Sequence, residues 1–198
     1  METGLKDFIA GELRKSAAVI NAIAADADLA RTIETVARLC VAALRGGNKI
    51  LLAGNGGSAA DAQHLAAEFV SRFYFDRPGL AAIALTTDTS ALTAIGNDYG
   101  FEKLFSRQVD ALGRSGDVFI GLSTSGNSPN VLGALAECRA RRIVTVGLTS
   151  QTGGKMAALC DHLLRMPSGE TPKIQEGHII VGHIICALVE REMFPRSS

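Results

Sequence analysis

The chain has no tryptophan, few aromatic residues (5%) and no excess of either charge, since 20 Lys and Arg residues balance 20 Asp and Glu residues. Without an excess of cationic side chains, a protein has little with which to neutralise a nucleic-acid backbone. Few aromatic rings also leave little surface on which single-stranded bases can stack. We therefore expect no nucleic-acid partner.

Long apolar runs and closely paired cysteines are missing as well. The most apolar stretch, residues 179–189, is shorter than the roughly 18 residues that span a membrane, and it contains His183. The first thirty residues carry several charges and lack the apolar core of a secretory signal. The widely separated cysteines predict small buried side chains, not disulfides or thiolate metal ligands: Cys40, Cys138, Cys160 and Cys186. These features predict a cytoplasmic protein without a membrane partner.

The distribution of apolar residues predicts an α/β fold. With 198 residues and 47% hydrophobic content, the chain is long enough for one well-filled domain, 1–198. Residues 1–45 show two helical patterns and predict an N-terminal helical arm. In residues 46–198, short apolar runs alternate with helical segments, which predicts a doubly wound five-stranded parallel sheet flanked by helices. The predicted strands are 49–53, 80–85, 117–121, 142–147 and 161–166, and a long helix near 172–193 follows them.

A glycine-rich loop follows the first predicted strand, in the sequence Gly54-Asn55-Gly56-Gly57-Ser58, and such sheets bind ligands beyond the carboxyl ends of their strands. A dinucleotide site would need an acidic residue at the end of the second strand, and a Walker loop would need Lys-Ser or Lys-Thr after the glycines. The chain has neither at these positions. One interpretation is a loop for an anion or polar ligand. The other is that Ser58 caps the next helix together with Asp61.

A second polar loop follows the third predicted strand and contains Ser123, Thr124, Ser125 and Ser128. Pro129 suits the first turn of a helix, which makes Ser128 the predicted N-cap residue. Hydroxyls and backbone donors at a helix N-terminus can hold a phosphate ester without Lys or Arg. The loop therefore favours a phosphorylated ligand, with an ordinary serine-rich turn as the alternative.

Ionisable side chains cluster on two predicted helices. Asp61, His64 and Glu68 share one helix face, with the spacing of half a metal site, of an acid–base pair or of a solvated surface. His183 lies on the nearly apolar C-terminal helix, where a core histidine is the alternative. Gln175 precedes His183 by eight residues, about 12 Å along a helix. The two can meet at one ion only if Gln175 reaches inward or if they come from different subunits.

Five segments together resemble the phosphoheptose isomerases of the sugar-isomerase (SIS) fold, over nearly the whole chain. They are Ala53–Asp61, Ala62–Glu68, Leu92–Asp98, Ser123–Ser128 and Ile174–His178. Singly, only the serine loop marks the wider SIS superfamily. The resemblance implies an SIS fold and a homotetramer with active sites between subunits, in which the N-terminal arm takes part in packing.

The resemblance also implies a sugar-phosphate isomerase with one Zn2+ per subunit. It makes His64, Glu68, Gln175 and His183 the metal ligands, and Glu68 and His183 the catalytic acid–base pair. The implied reaction converts sedoheptulose 7-phosphate to D-glycero-D-manno-heptose 7-phosphate through an enediol, the first step of ADP-heptose synthesis for the lipopolysaccharide core. The implied substrate contacts are Asn55, Gly56, Gly57, Ser58, Glu68, Asn97, Asp98, Ser123, Thr124, Ser125, Ser128 and Gln175.

Two other functions fit the same resemblance. Some SIS-fold homologues bind the replication initiator protein and lack the equivalents of Glu68 and His183, both of which this chain has. An isomerase of another sugar phosphate would carry the same phosphate loop, because the length of the sugar is read elsewhere in the pocket.

Overall fold

The computed structural model describes residues 2–196 and contains a five-stranded parallel sheet with helices on both faces. Met1, Ser197 and Ser198, which the predicted domain bounds include, lie outside the described residues. The helices are α1 (Glu2–Ala25), α2 (Ala27–Arg45), α3 (Gly57–Val70), α4 (Thr89–Tyr99), α5 (Ser106–Leu112), α6 (Pro129–Ala140) and α7 (Thr171–Met193). The strands are β1 (Ile50–Ala53), β2 (Ala82–Ala84), β3 (Val118–Leu122), β4 (Val144–Ser150) and β5 (His162–Met166). Two short 3-10 helices cover Phe101–Lys103 and Gly154–Ala158.

The strand order is β2-β1-β3-β4-β5, and every neighbouring pair is parallel. All five predicted strands are confirmed, with ends that differ by a few residues. The winding direction reverses between β1 and β3, and doubly wound sheets bind their ligands at such a switch point. Ala53 at the end of β1 pairs with Gly121 of β3, so the loops after these two strands start side by side.

Apolar side chains fill both faces of the sheet. Leu52 of β1 and Ile120 of β3 pack with the inner sides of α2, α3 and α7. Leu51 and Phe119, their neighbours in the same strands, pack with α5 and α6 on the opposite face. Successive residues of a strand point to opposite faces, so strands buried on both faces need continuous apolar runs. The predicted fold class is confirmed for this physical reason.

The N-terminal arm consists of two helices that separate at Asp26. The Asp26 carboxylate accepts hydrogen bonds from the backbone N–H groups of Asp28 and Leu29, both at 2.9 Å, and caps α2. Most of the large apolar side chains of α2 are buried. In contrast, α1 leaves several large apolar side chains exposed: Leu5, Phe8, Ile9 and Leu13. A stripe of this kind is typical of a surface that contacts another chain.

The cysteines are all free thiols, and three of them, Cys40, Cys138 and Cys186, are buried as predicted. Cys160 is only half-buried. Burial raises the pKa of the Cys40 thiol to about 12, so this group stays a thiol at neutral pH. Within residues 2–196, no helix has the length and apolar character needed to cross a membrane.

We expect His178 of α7 to make the fold sensitive to acid. It is fully buried, and neither ring nitrogen has a hydrogen-bond partner among the described residues. Burial lowers the pKa of this imidazole from 6.5 to about 4. Between these two pH values the unfolded chain binds a proton that the native chain does not. The contribution of neutral His178 to stability is therefore complete above pH 6.5 and is lost as the pH falls towards 4.

We expect this loss to reach about 3 kcal/mol in the free energy of unfolding, because each pKa unit corresponds to about 1.4 kcal/mol. Urea unfolding of the wild type and of His178→Leu over this pH range measures it, and the variant should lose less stability. His162→Leu is the control, since His162 lies partly exposed on β5. Equal pH slopes for the wild type and His178→Leu would contradict the prediction.

Candidate active site

The glycine-rich loop after β1 starts α3 earlier than the sequence indicates. Gly56 takes the cap position with φ +56°, a conformation that glycine adopts without steric cost, and α3 begins at Gly57. Ser58 is a buried residue of the first turn, and no side chain in the described part of the chain hydrogen-bonds to this cap. The interpretation of Ser58 and Asp61 as a capping pair is therefore wrong, because the glycine turn starts the helix two residues earlier.

An amide pair joins this loop to the loop after β3. Asn55 Nδ2 donates to Asn130 Oδ1, and Asn130 Nδ2 donates to Asn55 Oδ1, both at 2.8 Å. Asn130 is buried in the first turn of α6, where its Oδ1 also accepts from the backbone N–H of Val131. Asn130 was not predicted as a site residue. Its partner is 75 residues away, and only the adjacency of β1 and β3 brings the two together.

Three hydroxyls converge in the loop after β3. Ser123 Oγ lies 2.9 Å from Ser128 Oγ and 3.4 Å from Ser125 Oγ. Ser128 is the N-cap residue of α6, and Pro129 follows it in the first turn, as predicted. Thr124 lies half-buried in the same turn. Because the first amides of a helix have no acceptor within the helix, these donors and hydroxyls form an uncharged cradle for an anion.

His64 and Glu68 of α3 meet His183 of α7. His64 Nε2 lies 2.8 Å from His183 Nε2 and 3.4 Å from Glu68 Oε1. One ligand atom from each of the three residues lies within 4.8 Å of the other two, which makes them a possible metal-binding group. We call these residues the His-Glu-His group. The predicted shared face of His64 and Glu68 is confirmed, and the fold brings His183 to it from a helix more than a hundred residues later.

The surroundings of the His-Glu-His group favour the neutral form of His183. Partial burial and the neighbouring His64 lower the pKa of His183, and the Glu68 carboxylate opposes this shift. The ring of Phe73 lies 5.5 Å from the His183 ring, measured between centroids. A neutral imidazole can offer its lone pair to a metal ion or accept a proton. The His-Glu-His group is therefore able to bind a metal ion or to accept a proton.

Gln175 of α7 lies beside the N-terminal end of α3, next to the glycine-rich loop. A Cβ atom at Gly57 would lie 2.7 Å from Gln175 Cδ, so any side chain at position 57 would collide with this amide. Burial raises the pKa of Asp61 nearby, and the Gln175 amide opposes the rise. Within one chain, the structure joins three of the four predicted metal ligands and places Gln175 against Gly57. Gln175 as the fourth ligand stays a prediction.

Asn97 and Asp98 lie exposed near the end of α4. The Asn97 amide donates to Asp98 Oδ1 at 2.7 Å. Among residues 2–196, no hydrogen bond connects either side chain to the glycine-rich loop or the serine loop. Their predicted contact with substrate stays a prediction.

The fold, together with the serine loop at its switch point, defines an SIS-domain protein, and a family model of the SIS domain matches residues 13–150. The phosphoheptose isomerase of Aneurinibacillus thermoaerophilus is 63% identical over 190 residues, which are 96% of each chain. The chain belongs to the phosphoheptose isomerase family.

Solved structures agree with this assignment. The phosphoheptose isomerase of Neisseria gonorrhoeae superposes with a TM-score of 0.88 at 46% identity, over 94% of this chain and 98% of that one. The phosphoheptose isomerase of Francisella tularensis gives 0.90 at 35% identity, over 93% and 97% of the two chains. The family resemblance drawn from the five sequence segments is confirmed.

Proposed function

We propose that this chain interconverts sedoheptulose 7-phosphate and D-glycero-D-manno-heptose 7-phosphate by moving a proton between C1 and C2 through an enediol. The observation that carries the proposal is the meeting of His64, Glu68 and His183 on two helices that begin at the carboxyl edge of the sheet. Membership of a family whose curated members are named phosphoheptose isomerase supports the choice of substrate.

The serine loop is the proposed binding site for the phosphate of the substrate. The hydroxyls of Ser125 and Ser128 both lie within hydrogen-bond distance of the Ser123 hydroxyl at the N-terminus of α6, where the helix dipole favours an anion. Asn55, Gly56, Gly57 and Ser58 on the adjacent loop are the proposed contacts to the sugar, with Thr124 and Gln175 beside them. No cationic side chain is needed for this mode of binding, which agrees with the zero net charge of the chain.

Replacement of Asn130 by alanine is expected to raise KM for the sugar phosphate about 10-fold while kcat changes little. The change removes the partner of Asn55, and a buried hydrogen bond of this kind contributes about 1 kcal/mol or more to holding the loop. Steady-state kinetics measures the effect. Thr145→Val is the control, since it removes a buried hydroxyl that bonds Asp161 at the opposite edge of the sheet. A kcat loss without a KM increase would contradict the role given to Asn130.

Zn2+ is the metal that we assign to the His-Glu-His group, one ion per subunit. Two imidazoles and one carboxylate are a donor set of catalytic zinc sites. One ligand atom from each of the three residues lies within 4.8 Å of the other two, close enough for a single ion to contact all three. Gln175 is the proposed fourth ligand, by reaching towards the group or by coming from another subunit. When bound, zinc would polarise the substrate carbonyl as a Lewis acid.

Glu68 and His183 are the proposed acid–base pair. The Glu68 side chain is only 21% exposed, and its Oε1 faces His64, so we assign removal of the carbon-bound proton to Oε2. A carboxylate that binds a metal ion is a weaker base, and proton transfer therefore requires that Oε2 stays off the metal. His183 Nε2 faces His64 and would bind the metal, so we assign to Nδ1 the protons that the oxygens at C1 and C2 gain and lose as the enediol forms and collapses.

A homotetramer with active sites at subunit interfaces is the proposed assembly. The exposed apolar stripe of α1 supports it, as does a groove of about 420 Å3 that opens beside His183 and is lined by Tyr74, Phe75 and Leu188. Exposed Asn97 and Asp98 would then reach the site of a neighbouring subunit. In this proposal residues 1–198 form one SIS domain, whose 1–45 arm packs between subunits and whose 46–198 core holds the sheet.

The proposed cellular role is the first step of ADP-heptose synthesis for the lipopolysaccharide core, carried out in the cytoplasm. The support is the family itself, whose members are named for a phosphorylated heptose. A sugar phosphate is also the ligand that the neutral serine cradle suits.

Incubation of the zinc-loaded protein with sedoheptulose 7-phosphate, with the product identified by NMR, tests the proposed function. We expect the aldoheptose 7-phosphate to form and a five-carbon ketose phosphate to react far more slowly. Equal turnover of the shorter sugar would favour an isomerase of another sugar phosphate. No turnover of either sugar, together with binding to the replication initiator protein, would favour the binding module.

A further inference from the structure

A buried ion pair connects α7 to the segment that follows α3. Arg77 Nε lies 3.0 Å from Glu190 Oε1, and the two side chains are only 2% and 1% exposed. The Glu190 carboxylate also accepts hydrogen bonds from the backbone N–H groups of Phe73 at 2.8 Å and Tyr74 at 2.7 Å. Both carboxylate oxygens therefore have partners, as a buried charge requires.

Arg77 also closes the C-terminal end of α3. Its Nη2 donates to the carbonyl of Glu68 at 2.7 Å, and its Nη1 donates to the carbonyls of Phe69 at 2.6 Å and Ser71 at 3.0 Å. The last carbonyls of a helix have no donor within the helix, and this guanidinium supplies one. One of the carbonyls that it binds belongs to Glu68, the proposed base.

The Arg77–Glu190 pair is also connected to His183. Glu190 follows His183 by seven residues, two turns of α7, so both side chains leave the helix on one side. Glu190 holds the backbone of Phe73, and the Phe73 ring lies against the His183 ring at 5.5 Å. Arg77 therefore contacts Glu68 directly through its carbonyl. Glu190 is connected to His183 through Phe73, whose ring contacts the imidazole.

A gain in stability does not by itself explain why a protein has a buried ion pair of this kind. The cost of removing two charges from water often exceeds their attraction, and apolar replacements of buried ion pairs are frequently neutral or stabilising. We propose that Arg77 and Glu190 are positioning residues that set the separation of Glu68 and His183, and with it the affinity of the His-Glu-His group for a metal ion. This inference rests on the proposed metal site, although neither residue belongs to that group.

The double variant Arg77→Met/Glu190→Met tests the inference without leaving an unpaired buried charge. We expect the affinity for Zn2+, titrated against a competing chelator in the absence of substrate, to fall about 10- to 100-fold, as for other residues that orient metal ligands. At saturating zinc, kcat for sedoheptulose 7-phosphate should fall while KM stays near the wild-type value, because the serine loop is untouched. Urea unfolding of the same variant reports whether the fold is retained.

Arg77→Lys supplies a second variant that keeps the charge opposite Glu190. A single ammonium group cannot serve Glu190 and the carbonyls of α3 together, since it lacks the planar fork of the guanidinium. We therefore expect a zinc affinity between those of the wild type and the double variant. If the double variant does not fold, the Arg77→Lys titration decides the question.

The matched control is the Lys49–Asp117 pair at the opposite edge of the sheet, with Nζ and Oδ2 2.7 Å apart and Asp117 fully buried. Asp117→Asn should lower stability and leave the zinc affinity at the wild-type value. Wild-type zinc affinity in the double variant and in Arg77→Lys would overturn the inference, as would an equal loss of affinity in the control. If the wild type itself binds no zinc, the proposed metal site fails, and the inference fails with it.

Discussion

Replacement of Glu68 by glutamine is expected to lower kcat for sedoheptulose 7-phosphate by about 10²- to 10⁴-fold, the range typical of a general base. Glutamine keeps the size of the side chain and one acceptor oxygen, but it cannot take a proton from carbon. KM should change little, because the phosphate is held by the serine loop, where Ser123 and Ser128 lie 2.9 Å apart.

Kinetics at saturating zinc separates loss of the base from weaker metal binding in this variant. Glu137→Gln is the matched control, since Glu137 forms a surface ion pair with Arg141 on α6 and takes no part in the site. The control should retain wild-type kcat. A Glu68→Gln enzyme whose kcat stays within a few-fold of the wild type would remove Glu68 from the role of base.

Removal of the metal ion is expected to lower turnover by about 10³-fold, equivalent to roughly 4 kcal/mol of transition-state stabilisation. Dialysis against a strong chelator, followed by titration with Zn2+, measures the loss and its recovery. The physical reason is that His64, Glu68 and His183 can hold the cation next to the carbonyl that must be polarised. His64→Gln should need more zinc for half-recovery than the wild type.

The metal-free protein should still bind inorganic phosphate, because the serine loop contains no member of the His-Glu-His group. Calorimetry with phosphate therefore distinguishes loss of chemistry from loss of the fold. Turnover that survives thorough removal of the metal would exclude zinc from the mechanism, and loss of phosphate binding as well would mean that the site itself has unfolded.

The elements that depend on local sequence were predictable, and the strands show why. A strand buried on both faces must be apolar along its whole length, as in Ile50–Ala53, and this pattern is visible without any partner. The order of strands and helices predicted ligand sites at the carboxyl ends of the strands, where the glycine-rich and serine loops lie. The switch point between β1 and β3 was not predicted, because it depends on how the strands pair. The N-cap at Ser128 was also predictable, because Pro129 marks the first turn of a helix.

Features that depend on distant partners were not predictable. Asn130 has no local signal of its role, since its amide pairs with Asn55 only after β1 and β3 become neighbours. The interpretation of Ser58 as a cap, one of two left open by the sequence, was wrong because the positive φ of Gly56 starts α3 earlier. The Arg77–Glu190 pair spans 113 residues and depends on the packing of α7 against α3.

The position of Gln175 could be predicted from the sequence only in part. Sequence spacing alone predicted that this residue and His183 are too far apart on one helix to meet without a special arrangement. The structure places the Gln175 amide against Gly57, at the opposite end of α3 from Glu68. Within one chain Gln175 and His183 therefore lie apart, as their spacing predicted, and an assembly of several chains is the arrangement that we propose to bring them together.

Transfer of solvent deuterium to the substrate carbons tests the central claim most directly. The zinc-loaded wild type and its Glu68→Gln variant are incubated with sedoheptulose 7-phosphate in D2O, and NMR follows deuterium at C1 and C2. We predict exchange in the wild type and its loss in the variant, because Glu68 is the proposed base that carries the proton between these carbons. Exchange that persists in Glu68→Gln at the wild-type rate would contradict the mechanism.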